Sequence, residues 1–216
     1  MKIPPDFYIP IQVTPIYSFY YGPYMYFPNK RQPIETATVI VKEDEYQFCV
    51  WSSENMGANT WKSNNIKEDK WKRGYINTPN DPRKVERRGR IGELAFCKLT
   101  GTAVDFRNIS GGDVFGDTIY LGKKTNVKNQ SKPYGVGQVR HQTGYGKTLP
   151  IRQDLYVFGW TESEDRSRCV ATVRFWGAST KKMIEQSPIV KRKWVNYEIN
   201  YESLLPIRNL LKFQYN

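Results

Sequence analysis

Gly111-Gly112-Asp113-Val114-Phe115-Gly116-Asp117-Thr118-Ile119-Tyr120-Leu121-Gly122-Lys123-Lys124-Thr125-Asn126-Val127-Lys128 reads as a glycine-rich turn running into a β-hairpin. Strand-forming residues fill 118–121 and 125–129, and Gly122-Lys123 between them suits a two-residue turn. That turn pairs Leu121 with Lys124, Ile119 with Asn126 and Asp117 with Lys128. Side chains alternate along a strand, so Asp117, Asn126 and Lys128 are expected on one face. The two glycines before Asp113 let the backbone turn sharply toward it.

Upstream, Val85, Ile91, Leu94, Ala95, Cys97 and Leu99 form a roughly helical apolar stripe over 82–99, ended by Thr100-Gly101. This helix carries Glu93 within Gly92-Glu93-Leu94-Ala95-Phe96. Downstream, strands are expected at 154–160 and 168–175, a helix at 179–185 and a short terminal helix at 204–211. Helix, strands, then helix predicts an α/β (α+β) domain with a mixed β-sheet flanked by helices. Residues 36–42 and 46–51 read as a further β-hairpin around Glu43-Asp44-Glu45. Residues 52–82 form a polar, irregular connection in which Trp61 and Trp71 serve as anchors.

Prolines at 4, 5, 10, 15, 23, 28 and 33, with seven aromatics within Tyr17–Phe27, make residues 1–35 an extended, PPII-like arm. Its rings are expected to pack on their own domain or on a neighbouring subunit, which leaves a homodimer open, in preference to stacking on bases. The expected division is therefore 1–84, holding arm, β-hairpin and connection, and 85–216, holding the core.

The 216 residues carry a formal charge of +12, which favours a polyanionic partner, nucleic acid first. Residues 89–216 hold 20 Lys/Arg against 11 Asp/Glu, whereas 1–88 hold 13 against 10. Between Asp117 and Asp154 there is no acid, but there are seven bases: Lys123, Lys124, Lys128, Lys132, Arg140, Lys147 and Arg152. Such a stretch is either a phosphate-facing surface or a solvated loop. Cys49, Cys97 and Cys169 lie far apart, so neither zinc nor a disulfide framework is expected and a reducing compartment fits. No signal peptide or membrane span is visible, and the cytoplasm (the host's, if the chain is phage-encoded) is the expected location. No P-loop occurs, and no Ser-His-Asp or Cys-His arrangement suggests itself.

An acid, an amide oxygen and an ammonium on one sheet face suit phosphodiester chemistry. Mg²⁺ takes hard oxygen ligands, polarises the phosphate and helps make hydroxide from bound water. A lysine beside it orients the water or stabilises the pentavalent phosphate.

Gly92-Glu93-x-Ala95-Phe96, then Gly111-Gly112-Asp113-x-x-Gly116-Asp117, then Val127-Lys128 resemble the PD-(D/E)XK restriction-endonuclease-like nuclease superfamily, especially a group of small phage and bacterial proteins. Asp154-Leu155-Tyr156-Val157-Phe158 and Phe175-Trp176-Gly177 resemble that group's next strands, so the resemblance covers roughly 85–216. It implies a restriction-endonuclease-like sheet and a DNA endonuclease dependent on Mg²⁺ or Mn²⁺. By position Asp117 would be the central metal ligand, Glu93 a helix-borne acid that completes the shell or positions water, and Lys128 the motif lysine. Asp113 would supplement the shell. Asn126 stands where the family has Asp or Glu; its oxygen can coordinate, but it brings no charge, so metal affinity should fall. Lys123, Lys124, Lys132, Arg140, His141 and Lys147 are the expected nucleic-acid contacts.

The same residues also have plainer readings. Glu93 can pair with Arg90, Asp113 and Asp117 suit glycine-rich turns, and His141 suits a solvated loop. The alternative to an endonuclease is a catalytically degenerate nucleic-acid-binding or viral assembly protein.

Overall fold

The computed structural model describes residues 18–21, 35–55, 82–105, 116–131, 136–142, 146–191 and 195–212. Asp113, Lys132, Trp61, Trp71 and the arm apart from 18–21 and Glu35 lie outside the described residues.

In chain order the elements are β1 (Ser18–Tyr21), β2 (Glu35–Lys42), α1 (Glu43–Asn55), α2 (Pro82–Thr100), β3 (Thr118–Tyr120), β4 (Lys123–Gln130) and β5 (Val136–Arg140). There follow β6 (Leu155–Asp165), β7 (Val170–Thr180), α3 (Lys181–Glu185), β8 (Ile189–Lys191), β9 (Val195–Asn200), a 3₁₀ turn (Tyr201–Ser203), β10 (Leu205–Pro206) and α4 (Ile207–Lys212). The main sheet runs β1-β2-β7-β6-β4-β3, with β10 also pairing β7, and β5-β9-β8 form a second sheet. β4 and β6 are parallel and the other pairs antiparallel. The expected mixed sheet flanked by helices is what the chain forms.

Alternation along β6 builds a core on each face. Leu155 and Val157 join Val127, Tyr120 and Phe175 beneath Ile91, Leu94, Ala95 and Phe96 of α2, together with α1 and α4. Tyr156, Phe158 and Trp160 face the other way, under Val139, Ile199, Tyr201 and Ile184. The second sheet thus roofs the face that α2 does not cover.

Helix α2 follows its sequence from Ile91 onward, whereas Val85, expected on the apolar stripe, is exposed. Ile91, Leu94, Ala95 and Leu99 recur at helical spacing and are all buried. The helix stops at Gly101, whose φ is +66°, and the Thr102 amide donates back to the Cys97 carbonyl at 3.0 Å. That is the closure expected of a C-terminal glycine. The helix lies directly on β4: a Cβ at Gly92 would overlap the side chain of Asn129. The Asn129 amide donates to the Arg88 carbonyl at 2.7 Å and to Thr161 Oγ1 at 2.9 Å.

Three expectations change. Residues 46–51 are helix, not strand: Glu43, Asp44 and Glu45 occupy the first turn of α1, where carboxylates meet the positive helix end. Glu45 accepts from the Lys42 amide and pairs with Lys98 of α2 at 2.7 Å, and Tyr46, Cys49 and Ser53 are buried at helical spacing. The β3–β4 turn is Leu121-Gly122, because the register is Thr118↔Thr125, Ile119↔Lys124 and Tyr120↔Lys123. Both turn residues have positive φ, 50° and 71°, the requirement of a type I′ turn. Finally, part of the basic stretch between Asp117 and Asp154 is strand β5, paired with β9.

The line expected at residue 84 runs between hydrogen-bonded neighbours, since β2 pairs with β7 from Ala37↔Phe175 to Lys42↔Val170. A buried network joins the same parts: Arg87 Nε lies 2.6 Å from Glu164, which also accepts from Tyr46 at 2.7 Å. No helix among the described residues is long and apolar enough to cross a membrane.

The packing at Gly92 sets a test. Gly92→Ala should lower stability by roughly 1–3 kcal/mol through overpacking against Asn129. Gly89→Ala, whose Cβ would meet only Glu93 Oε1 at 3.8 Å, should be neutral or stabilising by up to about 1 kcal/mol. Urea denaturation of both variants checks the pair, and equal effects would refute close helix–strand contact.

Candidate functional site

Gly116 has φ +82° and lies against the Thr125 carbonyl, to which the Asp117 amide donates at 2.8 Å. The kink ends the β3–β4 ladder and turns Asp117 inward. Its Oδ2 accepts from the Val127 amide at 2.5 Å, the place a carbonyl of a longer β3 would take. Asp117 is therefore held in the plane of the sheet, at the edge of β4, and is only 9% exposed.

Glu93 approaches that edge from α2. Arg90 donates to it at 3.2 Å and pairs with Glu86 at 3.1 Å. The pairing with Arg90 is one the sequence allows, but it is buried rather than superficial. Burial, and then the charge of Asp117, push the Glu93 carboxyl up to about 8, against the pull of Arg90. The charge of Asp117 also reaches Arg90 and Cys97 on the same helix, and Tyr156 on the opposite face. A carboxylate felt from both faces is what an in-plane position at a strand edge produces.

Asn126 and Lys128 alternate with Thr125, Val127 and Asn129, so they project from the face opposite α2. They are beside Tyr156 and Phe158 in the parallel register with β6. The shared face expected for these two holds; Asp117 lies across from Asn126 rather than from Lys128, and Glu93 comes from the other side. Asn126 Oδ1 is buried with no hydrogen-bond partner among the described residues. Its lone pairs are free to accept from a donor or a cation that reaches this point of β4.

The other basic residues are spread over the structure. Lys123 and Lys124 start β4 at the hairpin tip. Arg140 ends β5, in the sheet whose Gly137 packs on the Phe158 ring. His141 is not a solvated loop residue: it is half-buried, its amide donates to the Val195 carbonyl, and its ring meets Tyr197 edge-on at 4.8 Å. Lys147 is exposed. Sequence reasoning missed Tyr156 and Gln153, hydrogen-bonded at 2.7 Å beneath Asn126; no motif marks them.

A hard cation suits the donors present. Two carboxyls, Glu93 and Asp117, and the unpartnered Asn126 oxygen are all oxygen ligands, and Mg²⁺ keeps several waters besides. No group of three or more His, Cys, Asp or Glu is placed to hold a metal ion among the described residues. Arg90 offsets part of the negative charge of the two carboxyls.

Glu93 gives a pH signature in metal-free protein. The folded chain keeps a proton on Glu93 between the model-compound value of 4.5 and about 8, a window in which the unfolded chain has lost it. Folding stability should therefore fall as pH rises through that window. Glu93→Gln should match wild type near the lower end and exceed it at the upper end by roughly 1 kcal/mol or more. Denaturant titrations with chelator across this range decide it; parallel profiles would place Glu93 in an ordinary environment.

Comparison of the chain with protein-family models, with curated proteins and with solved structures finds no match.

Proposed function

We propose that the protein is a restriction-endonuclease-like nuclease that hydrolyses phosphodiester bonds of DNA with Mg²⁺ or Mn²⁺ at the edge of β4. The observation that carries this reading is the in-plane Asp117 carboxylate, with Glu93 above it and the unpartnered Asn126 oxygen across from it. Bound there, the cation would polarise a phosphate oxygen and acidify a water. Asp117, fixed by the Val127 amide, and Glu93, fixed by Arg90, offer rigid oxygen ligands and need no rearrangement. A cation bound there would displace the proton that metal-free Glu93 retains, leaving its carboxylate placed to orient the attacking water. Lys128, two residues along β4 from Asn126, offers an ammonium to the phosphate oxygens as charge accumulates. Lys123, Lys124, Arg140 and Lys147, with the net charge of +12, supply attraction to the polyanion.

A second reading has its own support. Arg90 already places a positive charge on Glu93, and Asn126 brings none of the negative charge an acid would. Both favour a protein that binds nucleic acid on a nuclease-like framework without cutting it.

Plasmid nicking in Mg²⁺ and Mn²⁺ separates the two. The nuclease reading expects cleavage that falls roughly a hundredfold or more in Asp117→Asn and in Lys128→Ala. Asparagine keeps an acceptor for the Val127 amide, so the fold is preserved. Intact plasmid at every metal concentration, with salt-sensitive binding retained, would remove the enzyme and leave the binder. Cleavage gained in Asn126→Asp would show which group the binder lacks.

A further inference from the structure

Four residues beyond Asp117, the β3–β4 hairpin ends in an anomaly. Leu121 is the first central residue of a type I′ turn, with φ 50°. Asparagine, aspartate or glycine suits that position, and a leucine there is strained. Burial gives it little in return, for Leu121 is 46% exposed, and so, at 53%, is Ile119 two residues before it. Lys123 and Lys124 follow at once. No Asp or Glu occurs from 118 to 153.

We propose that this tip is a wedge: Leu121, backed by Ile119, enters a groove of duplex DNA and pries at a base step while Lys123 and Lys124 hold the flanking phosphates. The inference rests on the reading of DNA as substrate and adds how the duplex is engaged. An apolar side chain on a narrow two-stranded tip, ringed by cations, has the chemistry of proteins that unstack and bend DNA. Charge selects the occupant: a hydrophobic protein partner needs no lysine collar, whereas phosphates do. Distance links tip to site. At about 3.3 Å per strand residue, Leu121 stands roughly 13 Å from Asp117, or about four base pairs along a duplex. The wedge thus fixes where the scissile phosphate falls relative to the distorted step.

Leu121→Asn tests this in the full-length protein, because it corrects the turn as it removes the wedge. A purely structural leucine predicts equal or higher thermal stability and unchanged DNA affinity. A wedge predicts equal or higher stability together with duplex affinity lowered roughly tenfold or more, at an unchanged salt slope. Lys123→Ala with Lys124→Ala should instead flatten the plot of log affinity against log salt by about two units. Duplexes carrying 2-aminopurine at successive positions should brighten at one step on binding wild type, and stay dark with Leu121→Asn. Unchanged affinity, a dark probe at every position, an equal loss of affinity for single strands, or no duplex binding by wild type would each overturn the wedge. A fall in solution mass with unchanged DNA affinity would overturn it in favour of contact between copies. Cleavage of bis(p-nitrophenyl) phosphate, too small to need a wedge, keeps the two readings apart. Its loss in Asp117→Asn with retention in Leu121→Asn supports the site whatever the wedge does, and its absence in wild type leaves the wedge judged on binding alone.

Discussion

Helix α2 touches β4 through Gly92, and nothing larger fits against Asn129. From that contact much of the rest follows. Asn129 reaches back to the Arg88 carbonyl and sideways to Thr161, so one amide fastens helix, β4 and β6 together. Two residues either way along the helix from Gly92, Arg90 and Leu94 are set to opposite tasks, one to Glu93 and Glu86, the other to the core. Phe96 then lies edge-on to Tyr120 and Phe175, which locks β3 and β7 to the same helix. Moving α2 outward by the width of a methyl group would loosen each of these and withdraw Glu93 from Asp117.

The electrostatics of the edge follow from that closeness. Two carboxyls share a poorly solvated corner, and one guanidinium serves Glu93 from beside it. Charges so placed are coupled far more strongly than at a surface. The corner is poised between two ways of settling its charge: a proton retained on Glu93, or an added cation. If the proposed cation binds, metal and pH act on this corner through one residue. The acceptor left over on Asn126 sits on the far side of the strand from Glu93, so any occupant serving both must lie at the open edge, where the two faces meet.

Legibility in the sequence was uneven, for physical reasons. The helix at 82–99 stood out by the spacing of Ile91, Leu94, Ala95 and Leu99, and the strand that became β6 by an apolar run buried on both faces. Residues 46–51 did not, since Tyr46, Phe48 and Val50 alternate as in a strand while Tyr46, Cys49 and Ser53 repeat as in a helix. Acidic residues ahead of them fit either a turn or a helix start. The hairpin register escaped for a subtler reason. A shift of two residues leaves each side chain on its own face, so the core pattern cannot choose between Gly122-Lys123 and Leu121-Gly122. Asp117, Asn126 and Lys128 were local enough to be found together. That Glu93 reaches Asp117 depends on α2 lying on β4, and no spacing in the chain encodes it.

The pairing of β2 with β7 has a consequence for how the chain is made. Val41 meets Ala171, so the second of β2's two partners follows it by well over a hundred residues, roughly 7–26 s of translation at ordinary elongation rates. Through that interval β2 can pair only with β1, from Glu35 to Thr38, and Val39 and Val41, both destined for the interior, lie beyond that register. Newly made chains are then at their most vulnerable to aggregation, and a holdase acting on the nascent amino-terminal third would have its greatest effect on yield.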